Sequence, residues 1–145
     1  MPHLTLPVGV GGPVIDLLIG VSEPRALALR AAGKTVPANV NARLLVDTGA
    51  SCTCIDPSVL APLQLTPTGT TTIHTPSTQG TGHSVNQFDV SIIMVQSLVW
   101  RSWKAWPVIE SNLSGQGIHG LLGRDILAHC LMTYDGAAKT FCLGF

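Results

Sequence analysis

Charge is what this sequence has least of. Eight acidic and eight basic residues make up 11% of the 145, and the net charge is zero. That is about half the usual charged share. There is no basic run, which excludes the electrostatic footprint of a nucleic-acid-binding protein. Long apolar runs are also missing. Ser91-Ile92-Ile93-Met94-Val95 has the length of a strand, far short of the ~20 residues a membrane helix needs. The opening Met1-Pro2-His3-Leu4-Thr5-Leu6-Pro7 carries neither a basic segment nor an extended apolar one, so a cytoplasmic setting is expected, with no membrane partner. Cysteines number four, and Cys52-Thr53-Cys54 is spaced by one residue, where zinc knuckles and redox motifs use two. Buried, reduced thiols are the expectation. His74, His83 and His119 do not fall at metal-ligand spacing, and neither a metal nor an organic cofactor is expected.

What is present is apolar: 46% of residues are hydrophobic. A chain of this length reads as a single domain, residues 1–145, large enough to bury about two thirds of its unfolded surface. Sparse charge leaves little to cover the remaining apolar surface, which points to an oligomer or to excision from a larger protein. Gly and Pro punctuate the chain about every ten residues and β-branched residues fill the intervals, the pattern of a mostly β protein. Val14 to Val21 reads as a strand. Ser22 to Gly33 reads as a short helix with Ser22 as cap, Pro24 in the first turn and Gly33 as stop. Val36 to Val46 resumes extended structure, and Asp56 is placed to cap a short helix at Pro57-Ser58-Val59-Leu60.

The Thr-rich stretch from Thr66 to Thr81 reads as part of a long hairpin. Its outgoing arm is Thr71 to His74, its tip is Thr75 to Gly82, and its return arm runs from Ser84 to Val95. Val85, Phe88, Val90 and Ile92 give that return arm partial alternation. Trp100, Trp103 and Trp106 sit three apart, but Pro107 and β-branched neighbours favour strands, with the indoles packed in a core or an interface. Ile118 to Leu127 reads as an apolar strand ending at Gly123 and turning into a short helix. Cys130 to Tyr134 and Ala137 to Leu143 form a terminal hairpin turned at Asp135-Gly136.

One tripeptide carries chemistry. Asp47-Thr48-Gly49 follows the apolar run Leu44-Leu45-Val46, so a carboxylate stands just past a buried strand on a tight turn. Two such carboxylates about 3 Å apart cannot both ionise; they share a proton and can activate water. The chain holds one copy. Ser51 and Ser58 have no adjacent base motif, which disfavours serine hydrolysis.

Asp47-Thr48-Gly49-Ala50-Ser51, the Gly-bearing hairpin, Gly120-Leu121-Leu122-Gly123-Arg124-Asp125 and the closing hairpin occur in the order found in retropepsin-like (retroviral-type) aspartic proteases. The chain resembles that family from about Val14 to Leu143, and its single-domain bacterial and retroelement members in particular. The resemblance implies a mostly β, closed barrel-like acid protease fold with one or two short helices, working as a homodimer. It implies an endopeptidase acting on a peptide or protein substrate, with Asp47 of each subunit completing the dyad. Thr48 would bridge the two turns through its hydroxyl, and Gly49 and Ala50 would complete the active loop. Gly120 and Gly123 would let the second apolar strand pass under that loop, and Leu121 would face a substrate pocket. Thr75, Gly80 and Gly82 are the flap candidates. Asp125 reads as a helix-start carboxylate near the dipole of the segment that Arg124 opens.

Two departures from the family pattern matter. Ala50 offers no hydroxyl to the neighbouring carboxylate, so activity is expected at mildly acidic to near-neutral pH. Ser51 stands where many viral members carry an Asp that pairs with the Arg of the later motif, leaving Arg124 without that partner. The C-terminal Thr140 to Phe145 is the expected interface strand, because Pro2 and Pro7 limit pairing by the N-terminus. The alternative on the same fold is a catalytically inactive module that dimerises or binds a peptide.

Overall fold

A computed structural model describes residues 1–75, 79–96 and 99–145, with the side chain of Val99 excepted. Its strands are β1 (His3–Pro7), β2 (Val14–Val21), β3 (Val40–Val46), β4 (Cys54–Ile55), β5 (Gly69–Ile73), β6 (His83–Gln96), β7 (Val99–Glu110), β8 (Gly120–Leu122), β9 (Leu131–Asp135) and β10 (Thr140–Gly144). The helices are α1 (Glu23–Ala31), α2 (Pro57–Leu60) and α3 (Arg124–Leu127), and a 3-10 turn, Ala61–Leu63, follows α2.

Six strands close a barrel in the order β2-β3-β8-β4-β7-β6, sealed by antiparallel pairing of β6 back onto β2. Closure removes the unpaired edges that an open sheet would present. Alternation decides which side chains point inward. On β6, Phe88, Val90, Ile92 and Met94 are buried at every second position. On β3 the inward set is Ala42, Leu44 and Val46, and on β2 it includes Ile15, Leu17 and Ile19. At roughly 2 kcal/mol for each fully buried aliphatic side chain, these positions supply much of the drive to close the barrel. A bulge between Val90 and Ile92 bends the long β6–β7 ribbon.

The expected hairpin forms: β5 returns through β6, with Ile73 opposite His83. Pro76, Ser77 and Thr78 of the expected tip lie outside the described residues. The three tryptophans are on a strand, β7, but their surroundings differ. Trp103 is buried and meets Trp106 edge to face, whereas Trp100 is 69% exposed and takes no part in the core.

Local chemistry explains most element boundaries. Asp56 caps α2 by accepting the Ser58 N–H at 2.9 Å. Ser22 precedes α1, yet its side chain makes no cap hydrogen bond; Pro24 and the acidic Glu23 shape that first turn instead. Gly33 stops the helix in the left-handed region, φ 68°. The terminal hairpin corrects the sequence reading. Asp135 is still in strand, opposite Thr140, and the turn is the four residues between them. Asp135 Oδ1 accepts the Ala138 N–H at 2.8 Å, which winds the chain one residue pair beyond an Asp-Gly turn.

The N-terminus is a second correction. β1 pairs antiparallel with β10, from His3 opposite Gly144 to Pro7 opposite Thr140. Pro2 and Pro7 do not prevent this: the Pro2 carbonyl accepts the Phe145 N–H, and the bonds at Pro2 and Val8 place the donorless Pro7 nitrogen on the outer edge by alternation. The result is a three-stranded sheet, β1-β10-β9, with the C-terminal strand in its centre. Leu4, Phe141 and Leu143 of this sheet are buried in the main core.

Candidate active site

β3 and β8 run parallel through the barrel wall, with Leu44 to Val46 beside Gly120 to Leu122. Both end at the same face, and Asp47 is the first residue past β3. Its N–H donates to the Leu122 carbonyl at 3.0 Å, so the end of β8 holds the start of the turn. The turn then folds on itself. The Gly49 N–H donates to Asp47 Oδ1 at 2.8 Å and the Ala50 N–H to the Asp47 carbonyl at 3.2 Å. Oδ2 of Asp47 is free of any such tie within the turn. A Cβ at Gly49 would stand 3.0 Å from Asp47 Oδ1, so any larger residue would crowd the carboxylate. Asp47 is half-buried, while Thr48 and Gly49 are exposed at the tip.

The backbone crossing beneath the turn is tight. A Cβ at Gly120 would lie 2.5 Å from the Cys54 carbonyl oxygen, and one at Gly123 would lie 2.5 Å from the Cys52 carbonyl carbon. Glycine at both positions lets β8 pass against β4 and the loop before it. α3 begins at this crossing. The Arg124 N–H donates to the Ala50 carbonyl at 2.9 Å, and Arg124 Nη1 donates to the Thr48 carbonyl at 3.0 Å. The guanidinium thus grips the main chain of the turn in place of a carboxylate partner.

Asp125 is more than a helix-start carboxylate. Its Oδ1 accepts the Thr53 hydroxyl at 2.8 Å and its Oδ2 accepts Trp106 Nε1 at 3.0 Å. Thr53 is fully buried, and its Oγ1 in turn accepts the Gly123 N–H at 3.1 Å. Trp106 also meets the His129 ring edge to face. Three segments far apart in sequence are pinned here: the end of the Asp47 loop, the wall strand β7 and α3. Both Asp125 oxygens are engaged, which leaves that carboxylate no part in activating water.

A cavity of about 260 Å³ opens beside the turn. Asp47, Gly49, Ala50, Ser51, Cys52, Cys54, Ile73, His74, Thr75, Ile109, Ser111 and Leu121 line it. Among the residues singled out in the sequence, Asp47, Gly49, Ala50, Thr75 and Leu121 meet here. Gly80 and Gly82 do not line the cavity: Gly80 is exposed with φ 82°, and Gly82 packs beside Thr72 and His74 in the hairpin. Ile73, His74, Cys52, Cys54, Ile109 and Ser111 escaped the sequence reading. Ile73 and His74 were legible only as neighbours of Thr75. Ile109 arrives through the pairing of β7 with β4, opposite Cys54, for which no local signal exists.

Burial pushes the Cys54 thiol up to about 11, opposed by hydrogen bonding with Leu121 and Ser111. Burial also raises Cys52, where Ser51 acts in the opposite direction and the Asp125 charge adds to the rise. Both stay protonated at neutral pH and behave as small apolar groups. All four cysteines are free. Among the described residues no group of three or more His, Cys, Asp or Glu is arranged to hold a metal ion, and no helix is long and apolar enough to cross a membrane.

A barrel of this topology, with an Asp-Thr-Gly turn braced by a Gly-Arg-Asp helix, defines a retropepsin-like aspartic protease fold. The family model for aspartyl proteases matches residues 31–126, about two thirds of the chain and every residue named as lining the cavity. The chain belongs to the aspartyl protease family. Among solved structures it is similar to a retropepsin-like aspartic protease from Rickettsia conorii, at 15% identity and a TM-score of 0.57, over 98% of this chain and 90% of that one. No match was found among curated proteins.

Proposed function

We propose that this chain is an aspartic endopeptidase whose active site forms when two copies meet, each contributing Asp47. The observation that carries the reading is the state of Asp47. It stands half-buried on an exposed turn, one carboxylate oxygen held by Gly49 N–H, at the mouth of an apolar-walled cavity. Among the described residues it is the one Asp or Glu that lines this cavity. A lone carboxylate is a modest catalyst, and two sharing a proton are an effective one.

The chemistry balances with the pair alone. The ionised Asp47 takes a proton from a water held between the two, while the protonated Asp47 gives its proton to the scissile carbonyl oxygen. The water oxygen bonds to the carbonyl carbon, giving a tetrahedral diol. The pair's proton passes to the amide nitrogen, the C–N bond breaks, and one diol hydroxyl gives its proton back to the pair as the carboxylic acid forms. Thr48, on the exposed tip, would bridge the two turns through its hydroxyl. Leu121, Ile73, Ile109 and Cys54 form an apolar wall suited to a hydrophobic substrate side chain next to the cleaved bond. The β5–β6 hairpin, which brings Thr75 to the cavity, is the element that closes over the peptide.

The test is cleavage of a broad peptide library by the purified protein beside Asp47→Asn. The expected result is cleavage on the side of apolar residues, reduced at least about 10²-fold in the variant. Equal cleavage by both proteins, or none by a protein shown to be dimeric, would sink the proposal.

A further inference from the structure

We infer that Glu110 builds a second recognition site beside the Asp47 cavity, one that takes a basic side chain, lysine or arginine, of the substrate peptide. The inference rests on the reading of Asp47 above and names the substrate class that this chain selects.

A second cavity, of about 300 Å³, adjoins the one beside Asp47. Ile73 and Ser111 line both, so the two share a wall. An extended peptide advances about 3.3 Å per residue, so one that fills the first cavity reaches the second within a few residues. The ends of three elements meet there. β6 supplies Val85 and Asn86, β7 ends at Glu110, and Pro57 opens α2. The strand register sets the pairing. Gln87 stands opposite Ile109, so Asn86 and Glu110 are the next pair along the antiparallel ladder, on the other face. Ile109 thus serves the Asp47 cavity while Glu110 serves its neighbour.

Glu110 is held but not neutralised. Asn86 Nδ2 donates to its Oε2 at 3.0 Å, which orients the half-buried carboxylate. Among the described residues no donor reaches Oε1, and the two ion pairs, Arg43 with Asp16 and Lys104 with Glu23, lie elsewhere. Asp56, next to Pro57 in the chain, is no rival for a cation, because the Ser58 and Leu113 N–H groups occupy its two oxygens. His83, exposed at the start of β6, is the other titratable side chain on this wall, so comparisons are made at one fixed pH.

The walls match one class of side chain. Pro57, Ile73 and Val85 offer apolar surface to a run of methylenes, and Glu110 offers an acceptor to a charged end. Lysine and arginine have this build, an apolar stem that carries a cation. A charge-assisted bond to an oriented carboxylate is about twice as strong as a neutral one, and an anionic rival meets repulsion.

The experiment measures kcat/KM of the full chain on peptides with an apolar residue at the cleaved bond. Each nearby position carries lysine, arginine, norleucine, glutamine or glutamate in turn. The expected result is one position at which a basic residue is preferred over norleucine and glutamine by at least about tenfold. Glu110→Gln keeps an acceptor for Asn86 and removes the charge, and should bring that ratio to about one. Glu110→Lys should invert the preference in favour of glutamate at the same position. Circular dichroism verifies that both variants fold. A Glu110 that only supports the strands would lower the rate on every peptide alike and leave the ratios unchanged, which would overturn the inference. Equal use of basic and neutral residues by wild type at every position would also overturn it, while leaving the aspartic protease reading intact. No cleavage of any peptide by a dimeric wild type would overturn both.

Discussion

Thr53→Val isolates the polar link beneath the Asp47 loop. The Thr53 hydroxyl donates to Asp125 Oδ1 at 2.8 Å and accepts the Gly123 N–H at 3.1 Å, in full burial. Valine keeps the shape and removes both bonds. The Gly123 N–H is then left in the core without a partner, at a cost of about 1–3 kcal/mol, and Asp125 loses a charge-assisted bond of comparable size. Trp106 still satisfies the other Asp125 oxygen, so the two losses are not fully additive and roughly 3 kcal/mol is expected. For a chain of this length that lowers the melting temperature by about 6–12 °C. Urea denaturation and a thermal melt measure it, with Thr53→Ser as the comparison. Serine keeps the hydroxyl and loses one buried methyl, worth about 1 kcal/mol. A loss below about 1 kcal/mol for valine, or an equal loss for serine and valine, would refute the claim that the hydroxyl is what pins α3 to the loop.

Gly123→Ala should be among the most damaging single changes, costing at least about 2 kcal/mol by denaturant titration, because its Cβ meets the Cys52 backbone at 2.5 Å and something must shift. Gly69→Ala, whose Cβ meets nothing within 4 Å, should change the midpoint little. Burial works to raise the Asp56 carboxyl, but bonds from Ser58 and the Leu113 N–H, with the nearby His119 charge, outweigh it and hold the carboxyl below its usual range. A carboxyl lowered on folding stabilises above its unfolded value, about 3.9, and loses that contribution as pH falls through the folded one. Denaturation midpoints taken between pH 7 and pH 2.5 should therefore drop on acidification less steeply in Asp56→Asn than in wild type, and parallel curves would contradict the assignment. With its thiol raised to about 11 and buried, Cys54 should be the slowest cysteine to alkylate in the native protein at pH 8, as peptide mass mapping would detect. Early labelling there would show that the β4 crossing opens.

Local chemistry was the legible part of this fold. The strand β2, the Asp56 cap, the hairpin of β5 and β6 and the turn from β8 into α3 each follow from side chains within a few residues of one another. The role of Gly120 and Gly123 is legible through the family resemblance, and the structure gives its physical reason, a close backbone approach at both positions. What stayed hidden depends on partners distant in sequence. Trp106 and Asp125 meet only because β7 and α3 pack together, and neither residue signals the other. Ile109 reaches the cavity through pairing with Cys54. The pairing of the N-terminal strand is hidden because a proline removes only its own donor: Pro7 turns its nitrogen to the outer edge of β1, and Pro2 joins the ladder through its carbonyl. The Asp-Gly turn was misplaced for a similar reason: the Asp135 side chain binds Ala138 N–H and lengthens the loop.

The central claim is that catalysis needs Asp47 from two chains, and subunit mixing tests it most directly. Wild type and Asp47→Asn are combined at constant total chain, exchanged to equilibrium and assayed for peptide cleavage. If one dimer needs two intact carboxylates, an equal mixture keeps about a quarter of the wild-type rate, and the rate follows the square of the wild-type fraction. A rate that falls in simple proportion, leaving about half, would mean that a single Asp47 suffices and would contradict the account.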